Sequence, residues 1–302
     1  MVRGQAYKIS HVDCHNDKVS RVLTNYRFED MTWSEVNAAV AAGKIPVIPI
    51  GTTEQHGPHL PLKIDRWTST SICDEAAKRA PNRLTVLPPI AYGYTSHVMD
   101  FPGTITIHHE TFIRYVVDVL KSLAYHGFKK IIMINGHGSN HNPLELAGRR
   151  AMLESDAWIA MASWWNLSDA NSGFQDTWRE SPFPGGAAHA GEMETSLALH
   201  LDPDAVKMDL AVDQVIDHNK QESKYHWVDL FAAGPIRMDG WTSTYTPDGT
   251  MGNPSMATAD KGKALFEETV KNLIEFAGEF AAREFLPRTD HHDSPPTMDP
   301  PG

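Results

Sequence analysis

The apolar positions of the chain follow two periods. Ile45-Pro46-Val47-Ile48-Pro49-Ile50 is an unbroken apolar run ended by Gly51, and Lys130-Ile131-Ile132-Met133-Ile134 is another. Runs this short with no polar alternation read as strands buried on both faces. Leu84-Thr85-Val86-Leu87 reads as a further strand, and residues 158–162 as one more. The two prolines place the first run near a sheet edge, because proline cannot donate to a ladder. Between these runs the period becomes helical. Phe112, Val116, Val119, Leu120 and Leu123 share one face of a helix predicted over 110–127, where Gly127 closes it. Helices are also predicted over 65–79, 143–155, 192–201 and 260–285. One more starts at Thr32, with Glu35 completing a capping box, and ends near residue 42.

Strand and helix therefore alternate, which predicts an α/β protein: a three-layer α/β/α sandwich around a mainly parallel central sheet. Residues 1–30 read as an irregular arm, 31–286 as one catalytic domain, and 287–302 as a Pro-rich tail. Residues 166–188, rich in glycine, serine, proline and aromatics, read as a lid or insertion. Residues 202–256 are irregular, with room for further short strands.

Composition narrows the function classes. The formal charge is -11 over 302 residues, and no Lys/Arg cluster offers a phosphate-binding surface, so nucleic acid is excluded as a partner. Cys14 and Cys73 are too few for a disulfide framework and form no CxxC motif, so free thiols in a reducing compartment are expected. The first 25 residues lack the apolar stretch of a signal peptide. No run approaches the ~20 apolar residues of a membrane span. The expected location is the cytoplasm, with no membrane partner.

Histidine is abundant, at 16 residues, and many sit beside glycine or an acidic residue. Three clusters stand out. The first is Gly51-Thr52-Thr53-Glu54-Gln55-His56-Gly57-Pro58-His59, continuing to Asp65 at the start of a predicted helix. It follows a predicted strand, where open α/β sheets bind ligands. Glu54 and His56 point the same way in an extended segment, and Asp65 can reach back to them. This mixed N/O set suits Zn, Mn or Fe(II). A polar turn capping a helix through Asp65 is the plainer alternative. The second cluster, Asn135-Gly136-His137-Gly138-Ser139-Asn140-His141-Asn142, follows the strongest strand and would send His137 into the same cleft. It lacks the spacing of a phosphate loop. The third, His189-Ala190-Gly191-Glu192-Met193-Glu194-Thr195-Ser196, brings a histidine and two carboxylates to a helix N-terminus, where acidic residues could also simply complement the dipole.

Taken in order, TEQHGPHLPL with its following Asp65, then GYTSHVMDFPGTI, NGHGSN and HAGEMETS, the sequence resembles the creatininase (creatinine amidohydrolase) family over about residues 40–200. The resemblance implies two divalent metal ions, Zn, Mn or Fe. It implies that Glu54 and His137 bind one, that His56 binds the other, and that Asp65 bridges. Creatininase itself has a further ligand glutamate two residues after the NGH histidine. Ser139 stands there in this chain, so the missing ligand falls to Glu194, to Glu192 or to water. That departure makes the chain more similar to members with NGHGGN-like loops, which include formamide-cleaving and peptide-cleaving enzymes and one that hydrolyses a diketo cyclitol.

The resulting expectation is a metal-dependent hydrolase of a small polar C–N substrate. Glu54, His56, Asp65, His137 and Glu194 are the expected metal ligands. His189 and Glu192 are the expected oxyanion and proton-handling groups, and His97, Ser139 and Trp164 the expected substrate contacts. Hydrolysis of a C–C bond in a cyclic diketone is the alternative chemistry, and a non-catalytic metal-binding protein the alternative class. The family also implies a homo-oligomer, often a hexamer.

Overall fold

Two buried strands carry the architecture. β1 (Ile45–Ile50) and β3 (Lys130–Asn135) run side by side in parallel, with Val47 level with Ile132 and Ile50 level with Asn135. β2 (Leu84–Val86) pairs with the other side of β1, and β4 (Trp158–Ser163) with the other side of β3. The sheet order is β2-β1-β3-β4, all parallel. A computed structural model provides these coordinates and describes residues 24–170, 173–215, 223–232, 234–294 and 296–298.

Side chains alternate across this sheet, as a period of two requires. Ile45, Val47, Ile132 and Ile134 enter one apolar cluster, with α2 (Ile64–Arg79), α7 (Glu192–Leu201) and the long α8 (Ala259–Ala282). Ile48, Ile50, Ile131 and Met133 enter the other, with α1 (Trp33–Ala41), α3 (His109–Tyr125) and α4 (His141–Leu153). Helices thus cover both faces, and the fold is the expected three-layer α/β/α sandwich. The capping box of α1 forms as read: Thr32 accepts from the Glu35 amide while the Glu35 carboxylate accepts from the Thr32 amide. Gly127 takes φ 103° just past α3.

One expectation is corrected. β1 is an interior strand, not an edge strand. Odd residues bond toward β2, as Leu87 N does to Val47 O, and even ones toward β3, as Gly136 N does to Ile50 O. Pro46 lies before the β1–β3 register begins at Val47, and Pro49 lies after the β1–β2 register ends there. Each proline's missing donor therefore faces a gap in the ladder. The segment read as a lid or insertion carries regular structure among its described residues. It forms α5 (Trp164–Ser168), α6 (Phe174–Trp178) and β5 (Ala187–His189), which pairs antiparallel with β6 (Met251–Gly252). Trp178 is buried, and its indole N–H donates to Lys261 O at 2.9 Å.

Most of the expected N-terminal arm, including Cys14, lies outside the described residues. Cys73 is a buried free thiol. The described part of the tail carries no helix or strand. Among the described residues no helix is long and apolar enough to cross a membrane.

Candidate metal centre

The strand order reverses between β1 and β3, so the loops leaving their carboxyl ends diverge and open a crevice. The first two sequence clusters leave from these two ends. Close backbone approach is what lets the loops meet. A Cβ on Gly51 would collide with the backbone of Asp65 and Arg66, and one on Gly136 with the Asp65 carbonyl. Glycine at both positions lets the first turn of α2 sit against the two strand ends.

Glu54 comes from the β1 loop, which folds back on itself so that the Glu54 amide donates to Leu62 O at 3.1 Å. Its carboxylate is fixed by a hydrogen bond from the Thr95 hydroxyl. Asp65 is held in the same way by Thr52. His137 is clamped by Asn135. The Asn135 side chain accepts from the His137 amide at 3.0 Å and donates to its carbonyl at 2.7 Å. The far edge of the third cluster arrives through β5 and α7. The amide of Ala190, which sits at φ 52°, bonds Glu194 Oε2 at 2.6 Å.

These supports converge five side chains on one point. Asp65 Oδ1 lies 2.9 Å from His56 Nε2, while its Oδ2 lies 3.1 Å from His137 Nδ1. Glu54 Oε1 is 3.3 Å from His137 Nδ1, and Glu194 Oε1 is 3.7 Å from His56 Nε2. Two ligand sets result, Glu54–Asp65–His137 and His56–Asp65–Glu194, each with its donor atoms within 4.8 Å of one another. They share Asp65. A third set joins His189 to Glu54 and His56.

The chemistry of the set fits divalent cations. Glu54 Oε1 and His56 Nε2 are buried with these close ionic contacts but no well-aligned hydrogen bond, which is costly unless something else satisfies them. Each histidine uses its other nitrogen on a carbonyl: His137 Nε2 meets Tyr94 O at 3.2 Å, and His56 Nδ1 meets Glu54 O at 3.2 Å. This leaves His137 Nδ1 and His56 Nε2 facing the carboxylates, the arrangement that orients ligand imidazoles. The field is strongly negative. Burial would lower the His56 pKa, but Asp65 and Glu194 push it well above its usual value. His137 likewise rises to about 10, because Glu54 and Asp65 outweigh burial. Burial would raise the Glu54 and Asp65 carboxyls, and the facing histidines hold both below the usual range instead. Cations are what such a cluster binds.

The remaining expected residues divide. His189 lines the crevice. Its Nδ1 is 3.8 Å from Glu54 Oε1, and its Nε2 lies 3.0 Å from the Gln55 carbonyl. Burial and then His56 lower its pKa. His97 and Ser139 line the crevice together, 3.3 Å apart. Burial first, and then His137, lower the His97 pKa to about 4, so the ring is neutral near pH 7. Glu192 and Trp164 are corrections. Glu192 is turned into the protein, where it accepts from the Glu180 and Ser181 amides and pairs with Lys261 Nζ at 2.6 Å. It is not among the residues that line the crevice. Trp164 is 0% exposed in the apolar core. Its neighbour Trp165 belongs to the same core cluster, 4% exposed, and also lines the crevice. Sequence reasoning also passed over Thr52, Thr95 and Asn135, whose side chains carry no signal of their own beyond lying beside the ligands.

A sequence model of the creatininase family, described as creatinine amidohydrolase, matches residues 29–277. The chain belongs to the creatininase family. Creatinine amidohydrolase of Pseudomonas putida is 30% identical over 272 residues, covering 86% of this chain and 97% of that protein. The mycofactocin precursor peptide peptidase of Mycobacterium ulcerans is 32% identical over 235 residues, 76% of this chain and 82% of the relative. The 3-dehydro-scyllo-inosose hydrolase of Thermotoga maritima is 28% identical and spans 90% of this chain and 88% of its own length. Among solved structures, a mutant creatininase of Zn-Zn type superposes with a TM-score of 0.72 at 28% identity, over 86% of this chain and 99% of that one. A creatininase in a Mn form gives 0.72 at 27% identity, over 86% and 100%. Creatininase-family relatives are thus hydrolases, and this chain is a creatininase-family hydrolase.

Proposed function

We propose that the chain is a metal-dependent amidohydrolase that cleaves a C–N bond of an amide, cyclic amide or formamide-like group in a small molecule. The observation that carries this reading is the sharing of Asp65 between two buried ligand sets, each completed by one further carboxylate and one imidazole. In this reading Glu54, Asp65 and His137 hold one divalent ion, and His56, Asp65 and Glu194 hold a second. Glu194 then supplies the carboxylate whose place in the NGH loop is taken by Ser139. Zn, Mn and Fe all suit this N/O set. When bound, such ions acidify a water and polarise a carbonyl.

The chain's own groups do the rest. Thr52, Thr95 and Asn135 fix the ligands, so the reacting end is preorganised before substrate arrives. His189 stands at the edge of the cluster as a neutral imidazole and can hold or pass a proton at Nδ1, next to Glu54 Oε1. An amide nitrogen leaves poorly until protonated, so this is the step for which such a group is needed. The neutral His97 and the Ser139 hydroxyl offer hydrogen bonds that orient the substrate.

C–C hydrolysis of a cyclic diketone is the second reading, supported by the 28% identity to the inosose hydrolase over 90% of the chain. One screen separates the two. The metal-reconstituted chain is tested on cyclic amides, formamides and oxidised cyclitols, with ammonia or amine and acid recorded. Nitrogen release supports the amidohydrolase. Acid released from a nitrogen-free ketone moves the chain to C–C cleavage, and turnover of nothing leaves a metal-binding protein without catalysis.

A further inference from the structure

The carboxylate–histidine cluster supplies only part of the lining of the cavity it faces. That cavity measures about 810 Å³, toward the upper end of the ~300–1,000 Å³ range of pockets that bury drug-sized ligands. A compact ring of a few heavy atoms would leave most of it to water.

A second wall comes from residues between His226 and Tyr245, and it is anchored. Asp229 is buried and takes both Arg179 Nη atoms, at 3.0 and 2.7 Å, together with the Gly185 amide at 2.8 Å. Next to it the Leu230 amide donates to Ala187 O at 3.0 Å. Ala187 belongs to β5, the strand that delivers His189, so the wall is set against the reacting end by a hydrogen-bonded frame.

Leu230, Phe231, Ile236 and Met238 line the cavity from this wall, and Trp165 lines it from α5. Ile236 and Met238 are 51% and 55% exposed, although both are large and apolar. The charges on the wall are already matched: Asp229 pairs with Arg179, and Arg237 pairs with Asp239 at 2.8 Å. Exposed apolar side chains rimming an anchored cavity gain from a ligand that removes them from water. A uniformly polar ligand would leave Ile236 and Met238 in contact with water.

We infer that the substrate carries a bulky apolar group at least the size of an aromatic ring. Its scissile carbonyl sits at the carboxylate–histidine cluster, and its apolar body lies against Leu230, Phe231, Ile236 and Met238. This rests on the amidohydrolase reading and replaces the small polar substrate expected from the sequence.

The test is a binding comparison that needs no turnover. The chain reconstituted with Zn²⁺ or Mn²⁺ is titrated calorimetrically with acetohydroxamate and with 4-phenylbutyrohydroxamate, which share one metal-binding head. The aryl compound is expected to bind at least tenfold more tightly, about 1.4 kcal/mol. Met238→Asp and Ile236→Asp are expected to cut that margin below threefold without changing the mass seen by light scattering. Equal binding of the two compounds, no binding of either, or a margin that both variants leave intact overturns the inference. So does a change in oligomer mass with the margin retained, which makes these side chains a subunit contact. Failure of the amidohydrolase reading looks different: the aryl margin is present, yet no amide is turned over.

Discussion

Replacing Glu192 separates a structural from a catalytic role for the carboxylate that opens α7. In Glu192→Ala the Glu180 and Ser181 amides lose their acceptor, and Lys261 loses its 2.6 Å partner. Hydrogen bonds to a charged group contribute about 1.5–3 kcal/mol net, and breaking a buried ion pair costs about 3–5. The loss here sits at the low end, because Lys261 keeps the Glu180 carboxylate at 2.8 Å and the Met256 carbonyl at 2.8 Å. A destabilisation of about 2–3 kcal/mol follows, or a fall in melting temperature of roughly 4–12 °C for a domain of this size. Glu192→Gln keeps one acceptor oxygen and should lose about half as much. The sign of the pH dependence is fixed as well. Burial would raise the Glu192 carboxyl, but hydrogen bonds from Lys261 and Ser181 hold it below its ordinary 4.5. Its stabilisation is therefore complete above that ordinary value and is lost as pH falls through the lower folded one. The gap between wild type and Glu192→Ala should close in acid. The assay is a pair of melting curves at matched metal content, with kcat measured well below both transitions. Expected is a lower melting temperature with kcat within about threefold of wild type. An unchanged melting temperature with kcat down a hundredfold or more would refute the structural role and return Glu192 to proton transfer.

Other outcomes follow from the same geometry. Asn135→Ala removes both bonds that clamp the His137 backbone, and metal affinity should fall about 10–100-fold, read by competition with a chromogenic chelator. Trp164→Ala should cost about 3–5 kcal/mol of stability in denaturant unfolding, because the side chain is wholly core; a change confined to KM would place it at the substrate after all. Dialysis against EDTA should abolish activity, and Zn²⁺ or Mn²⁺ should restore it; activity that survives complete chelation would remove the metal from the account.

Much of the fold and of the centre was legible because local chemistry and global packing agree. β1 and residues 131–134 of β3 are apolar because helices cover both faces of the sheet, and the capping box at Thr32 needs only four residues. Glu54, His56, Asp65 and His137 could be read because each lies within a few residues of a strand end or a helix start. What was not legible depends on direction. Glu192 and Glu194 are two apart on a helix, about 200° around its axis, so only one of them could face the crevice. Which one is decided by where Lys261 of α8 packs, and no local pattern carries that. The prolines of β1 misled for a related reason: the rule against proline in interior strands assumes neighbours that pair along the full length, and here β2 stops at Val86.

Metal content with position tests the central claim most directly. Crystals of the chain grown with Zn²⁺ would be measured by anomalous diffraction at the zinc edge, alongside elemental analysis of the same protein in solution. The account predicts two ions per chain, one among Glu54, Asp65 and His137 and one among His56, Asp65 and Glu194, and it predicts that Asp65→Asn loses at least one of them. No bound ion at these residues, or full occupancy undisturbed by Asp65→Asn, would contradict it.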